Sequence, residues 1–235
     1  TFAMERLLYR LSRSPYVDNF VFLKGAMLFK LWTGDFYRPT RDIDVLAIKS
    51  ETFVSLKSIF QEISRLSFLE DGLTYLPDTV KVHEIREEQQ YGGLRVTSIA
   101  MLGSAEIKLQ VDCGFGDVIT PDPIVTDFPT LLDFPAPRLP TYPKETVVAE
   151  KFEAITRLGQ ANSRMKDFYD IWVLASDFPF SGQTITSAIQ NTFIRRKTPL
   201  PKGAPEAFQA SFIQNPLKQT QWQAFVRKSS FVKVE

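Results

Sequence analysis

The chain has 235 residues, 44% of them hydrophobic, enough for one large domain or two small ones around a real core. Its 28 basic and 27 acidic residues leave a formal net charge of +1, which neither demands nor forbids a nucleic-acid partner, because local basic patches decide that. The single cysteine, Cys113, excludes an internal disulfide, and with a single histidine it excludes a zinc site built from those ligands. No apolar run reaches the ~18–20 residues of a helical membrane span, so no membrane partner is expected and the cytoplasm is the default compartment. The N-terminus shows no signal-peptide pattern, and because the chain starts at Thr1 without Met, residues upstream of it are expected.

Phe2, Leu7, Leu8 and Leu11, interspersed with arginine, predict an amphipathic helix over 1–14, closed by Ser14-Pro15. Residues 20–23 read as a short apolar strand that runs through Lys24-Gly25 into a helix over 26–32, placing Gly25 at a strand-to-helix turn. The stretch Arg38-Pro-Thr-Arg-Asp-Ile-Asp-Val-Leu-Ala-Ile48 follows, and its Asp42 and Asp44 occupy alternate positions of a strand, sharing one face while Ile43 and Val45 serve the other. Two close carboxylates repel each other, so a cation is their natural third party, and magnesium, which prefers oxygen ligands, is the expected one. The plainer reading is an Asp pair at a strand start matched by Arg38 and Arg41, since a bare D-x-D arises often by chance.

Phe53, Leu56, Ile59, Phe60, Ile63 and Leu66 fall close to a 3.6-residue period and predict a helix over 50–69. Residues 80–85 and 94–99 alternate as strands on either side of a turn at Tyr91-Gly92-Gly93. A third alternating run, 106–112, sends Ile107, Leu109 and Val111 one way and Lys108, Gln110 and Asp112 the other, so Asp112 ends a strand on its polar face. Cys113-Gly-Phe-Gly116 is expected to break that strand, and the prolines at 121, 123, 129, 135, 137, 140 and 143 predict a connector lying over the surface. Helical patterns then cover 144–158, 163–176, 182–193 and 204–226. The expectation is an α/β (α+β) protein, with a mixed-sheet domain over 1–142 and a helical domain over 143–235.

Four groups of residues suit phosphate chemistry. Lys24-Gly25 would present helix N-terminal amides and a positive charge to a phosphate, although Gly25 could merely permit a tight turn. Asp42 and Asp44 form the second group. Asp112 is the third: if its strand neighbours theirs, three carboxylates converge as in two-metal phosphoryl transfer, and otherwise it caps the following turn, with Asp117 a weaker candidate for the same pocket. The fourth is the charge-dense pair Glu150-Lys151-Phe-Glu153 and Arg164-Met-Lys166-Asp167-Phe-Tyr-Asp170-Ile-Trp172, where Lys166 and Asp170 are spaced i,i+4. Such pairs are commonly solvated, but the interleaved aromatics require some of these charges to lie near the core or a cleft. His83 is expected to be exposed or structural. Arg195-Arg-Lys197, with Lys202, is either a solvated loop or a contact for an RNA backbone.

Together, Phe22-Leu-Lys-Gly-Ala26, Arg38-Pro-Thr-Arg-Asp-Ile-Asp44, Gln110-Val-Asp-Cys-Gly-Phe-Gly-Asp117, Glu150-Lys-Phe-Glu-Ala154 and Asn162-Ser-Arg-Met-Lys-Asp-Phe-Tyr-Asp-Ile171 resemble the AbiEii/MenT-type nucleotidyltransferase toxins of the DNA polymerase β-like superfamily, over most of the chain to about residue 175. The resemblance implies a minimal nucleotidyltransferase fold with a helical C-terminal region, Mg2+ or Mn2+ and an NTP bound between them, a cognate antitoxin as partner, and an RNA acceptor such as the 3′ end of tRNA. It assigns Asp42, Asp44 and Asp112 to metal, Lys151 and Asp167 to the family's downstream motif, and Lys24 and Gly25 to the phosphate-binding turn; Arg41, which flanks the carboxylates, and Lys166 are the other candidates for nucleotide contact. Ala26 departs from the pattern, standing near where related enzymes place Ser or Thr, so that a hydroxyl contact to phosphate is absent or supplied elsewhere. The competing readings are a catalytically degenerate binder of nucleotide or antitoxin, and kinase-like transfer to protein.

Overall fold

A computed structural model describes residues 2–24, 27–33, 42–48, 52–85 and 92–229; within these, the side chains of 21–24, 27 and 33 are not described. The chain divides into two compact units, one made of Thr1–Gly116 and Ile124–Thr141, the other of Asp117–Pro123 and Tyr142–Glu235.

The first unit holds helices α1 (Phe2–Ser12), α2 (Met27–Thr33) and α3 (Phe53–Arg65) and strands β1 (Phe20–Lys24), β2 (Ile43–Ala47), β3 (Leu73–Ile85), β4 (Gly93–Leu102), β5 (Ala105–Phe115), β6 (Ile124–Asp127) and β7 (Arg138–Thr141). Among the described residues the strands form one mixed sheet in the order β3-β4-β5-β2-β1-β7-β6, with β2 parallel to β5, β1 parallel to β7 and the other neighbours antiparallel. Helix α3 starts in a capping box: Thr52 Oγ1 accepts from Ser55 N, and Ser55 Oγ accepts from Thr52 N. Its apolar stripe, Leu56, Ile59, Phe60 and Ile63, is buried and the helix packs on β3 and β4. Each of those side chains contributes about 2 kcal/mol by leaving water, which fixes the helix to the sheet.

Two expectations for this unit are corrected. The third alternating strand does not stop at Asp112 but runs on through Cys113 and Gly114 to Phe115, because β2 pairs with it throughout, up to Ala47 opposite Phe115. The proline-rich stretch is not simply a surface connector, since it contributes β6 and β7 to the sheet, Thr141 pairing with Phe22 of β1. Arg6 and Arg10 of the first helix are buried. Arg10 grips Asp71 with Nη1 at 2.6 Å and Nη2 at 3.1 Å, and Arg6 Nε reaches the same carboxylate at 3.2 Å, all three side chains being almost fully buried.

The second unit consists of α4 (Lys144–Leu158), α5 (Met165–Asp177), α6 (Gly182–Arg195), α7 (Ala210–Ile213) and α8 (Pro216–Lys228). Helix α4 packs against α5 and α6, and α5 against α8. The expected helix over 204–226 is broken into shorter pieces: Pro216 occupies the first turn of α8, where its missing N–H costs nothing, and Asn215 caps that helix by accepting from Leu217 N at 2.9 Å.

Candidate active site

Strand register brings the first group of charged residues together. Asp44 of β2 lies opposite Asp112 of β5 in the parallel pair, so the two carboxylates share a face of the sheet on strands ~4.8 Å apart. Arg95 of β4 lies opposite Asp112, His83 of β3 opposite Arg95, and Lys24 of β1 opposite Asp44. One row across five strands thus reads His83, Arg95, Asp112, Asp44, Lys24. Asp42 is the residue just before β2, one position outside the strand that was expected to contain it, and it is half-buried like Asp44, whereas Ile43 and Val45 are buried. Gly25, Arg41 and the Lys24 side chain lie outside the described residues.

Arg95 was not foreseen as a site residue. It clamps Asp112 through a two-point ion pair, Nε to Oδ1 and Nη2 to Oδ2, both at 2.8 Å. The Gln110 amide, two residues earlier on the same face of β5, lies against this pair, and the orientation that satisfies both of its ends has its oxygen accepting from Arg95 Nε at 3.1 Å and Nη2 at 3.2 Å. The alternation of 94–99 places Arg95 on a strand, but only the pairing of β4 with β5 shows which residue it meets. His83 is exposed at the end of the row, as expected.

The donor set of Asp42, Asp44 and Asp112 is all carboxylate oxygen, the chemistry magnesium takes. Among the described residues no three His, Cys, Asp or Glu side chains are gathered into a metal cluster. A carboxylate offers about four lone-pair positions, so the two that Asp112 gives Arg95 leave room for a further partner. The residues fit a magnesium ion held by one or two carboxylates and completed by substrate phosphates.

The second group is built by α4 and α5. Lys151 Nζ lies 2.8 Å from Asp167 Oδ1 and 2.8 Å from Asp170 Oδ2, and Arg164 Nε lies 2.6 Å from Asp167 Oδ2. Both carboxylates are about 1% exposed. Burial alone would raise the Asp167 carboxyl, but the Lys151 and Arg164 charges and their hydrogen bonds hold it well below the usual carboxylate range. Asp167 therefore orients Lys151, and Asp170, which the sequence pairs with Lys166 by spacing, is a second anchor for Lys151. Lys166 itself is exposed.

A third cluster accounts for residues that looked available for other roles. Arg196, beyond the C-terminus of α6, meets Asp117 Oδ1 at 3.1 Å, Glu150 Oε2 at 3.3 Å and Glu153 Oε2 at 2.9 Å. Burial would lower the guanidinium, but Glu150 and Asp117 keep it firmly charged. Arg196 is thus spent inside the second unit rather than on an RNA backbone, and Asp117 is tied to it.

The structure of the Helicobacter pylori protein JHP933 matches over 98% of this chain and 89% of that one, with a TM-score of 0.50 and 13% identity, so the two share a fold. A second H. pylori structure, described provisionally as a nucleotidyltransferase, covers 98% of this chain and 92% of its own at 13% identity and a TM-score of 0.48. No match is found among curated proteins. The class is settled by sequence family: the model for the nucleotidyl transferase AbiEii toxin of type IV toxin-antitoxin systems matches residues 6–233, nearly the whole chain. This chain belongs to the AbiEii nucleotidyltransferase toxin family.

Proposed function

We propose that the protein transfers a nucleoside monophosphate from an NTP to the 3′-hydroxyl of an RNA, with tRNA as the acceptor, and that a cognate antitoxin restrains it in the cytoplasm. The observation that carries this reading is the placement of Asp44 opposite Asp112 on neighbouring parallel strands, beside the half-buried Asp42. Asp42 and Asp44 would hold magnesium or manganese, and Asp112 would complete the site. A metal bound there would supply charge neutralisation on the triphosphate. Lys24, Gly25 and Arg41 are the candidates for offsetting the remaining phosphate charge, because phosphoryl transfer depends chiefly on positioning and electrostatics. Asp167 and Asp170 hold the Lys151 ammonium in place at 2.8 Å each. Lys166, exposed on α5, is a further candidate for offsetting charge on the phosphates.

The test is incubation with magnesium, total tRNA and each α-labelled NTP in turn, alongside Asp44→Ala. Label in tRNA from the wild type alone names the donor and supports the reading. No transfer from any α-labelled NTP, with label from a γ-labelled NTP on protein, would replace it with kinase-like chemistry. Nucleotide binding without any transfer would leave a binding protein.

A further inference from the structure

Arg95 holds the third carboxylate in a way that an all-acid metal site does not require. Asp112 and Asp44 stand side by side on one face of the sheet, and two carboxylates so placed repel each other strongly unless a positive charge is near. Arg95 supplies that charge from the other side of Asp112, with two hydrogen bonds of 2.8 Å and Gln110 bracing the guanidinium. The Arg95 side chain is 36% exposed and Asp112 16%, so the pair sits at a solvent-reachable surface and not in the core, where ion pairs commonly serve the fold.

We propose that Arg95 is a positioning residue of the active site that acts as a built-in counter-cation: without metal it offsets the paired carboxylates, and with metal it keeps Asp112 in one orientation and weakens the site's grip on the ion. The proposal rests on the metal role assigned above to Asp42, Asp44 and Asp112. It follows that affinity for a divalent ion in the absence of nucleotide is deliberately low, because the row already contains its own positive charge, and that productive binding depends on phosphates adding further negative charge. The fork geometry matters separately from the charge. A lysine at 95 would keep the charge but could not hold both Asp112 oxygens at once.

The experiment is a Mn2+ titration of the nucleotide-free protein by electron paramagnetic resonance, with Arg95→Gln, Arg95→Met, Arg95→Lys and Asp44→Ala, and thermal unfolding to confirm that each variant is folded. Removing a single charge this close to a divalent ion should tighten Mn2+ binding roughly tenfold in either neutral variant, Met preserving the packing of the stem should Gln fail to fold. Arg95→Lys should stay within about threefold of wild-type affinity while losing turnover, since it keeps charge and loses the clamp. Unchanged or weaker Mn2+ binding in the neutral variants overturns the proposal. Wild-type Mn2+ binding in Asp44→Ala overturns the metal assignment itself, and with it the proposal, which separates the two failures.

Discussion

Asp167 accepts from Lys151 and Arg164 at once while almost wholly buried, so its removal leaves cations without their counter-charge. Asp167→Asn should cost on the order of 3 kcal/mol at neutral pH, moderated because Asp170 still holds Lys151 and Arg164 is partly solvated. The pH dependence has a definite sign. The folded-state carboxyl lies below its ordinary value of 3.8, so its stabilisation is complete above about pH 4 and is lost as the pH falls from there through the lowered value. Urea unfolding of wild type and variant at pH 7, 5 and 3 should therefore show a gap that is constant between the first two and narrower at the third; a gap that widens at pH 3 would contradict this account. At this scale the sequence identifies residues but not their partners. Lys151 and Asp167 are evident from their motif, whereas Asp170 is paired by helical spacing with Lys166, and only the packing of α4 on α5 brings it to Lys151. Arg95 is invisible for the same reason: its role depends on a neighbour 17 residues away.

Elements with a clean period are legible, and those shaped by tertiary pairing are not. Helix α3 is announced by its apolar spacing, but its ends are not: the expected span of 50–69 shortens to Phe53–Arg65, with Thr52 as the cap, and Thr52→Ala should cost about 1 kcal/mol, read as a lowered urea midpoint with unchanged m-value. Strand β3 begins at Leu73 where the alternation predicts Val80, because Pro77 interrupts the pattern between Leu76 and Lys81. Thr79 mends the gap, its hydroxyl donating to Leu76 O at 2.6 Å and accepting from Ile99 N at 3.0 Å, and β3 is a sheet edge, where proline is tolerated. Strands β6 and β7 are four residues each and carry Pro140, too short and too broken to show a period, yet pairing closes them onto the sheet. In the helical unit, Arg196 joins the end of α6 to α4 and to the segment that begins at Asp117. Arg196→Met leaves three carboxylates facing one another and should destabilise by about 3–5 kcal/mol, again measured by urea unfolding. The sequence presents this arginine within a basic run, and nothing local shows that acids from two other segments surround it.

For the molecule as a whole, the near-zero net charge hides an uneven distribution. From Phe178 to Val234 the only acid is Glu206, against Arg195, Arg196, Lys197, Lys202, Lys218, Arg227, Lys228 and Lys233. Arg196 is consumed by its three carboxylates and Lys218 by the Asn162 carbonyl at 2.7 Å, while Lys197, Lys202, Arg227 and Lys228 are exposed. If the acceptor is RNA, these four bases supply the phosphate contacts that a net charge of +1 cannot supply as a bulk field. Each contact releases counterions, so for two to four contacts with single-stranded RNA the acceptor KM should rise about seven- to fifty-fold between 50 and 200 mM salt. Replacing Arg227 and Lys228 together by glutamine should weaken acceptor binding and flatten the slope by about 1.4 in log–log terms, with the KM for NTP little changed. A salt-independent acceptor KM would show that the acceptor is not a polyanion held by these side chains, and would direct the search for the substrate toward protein.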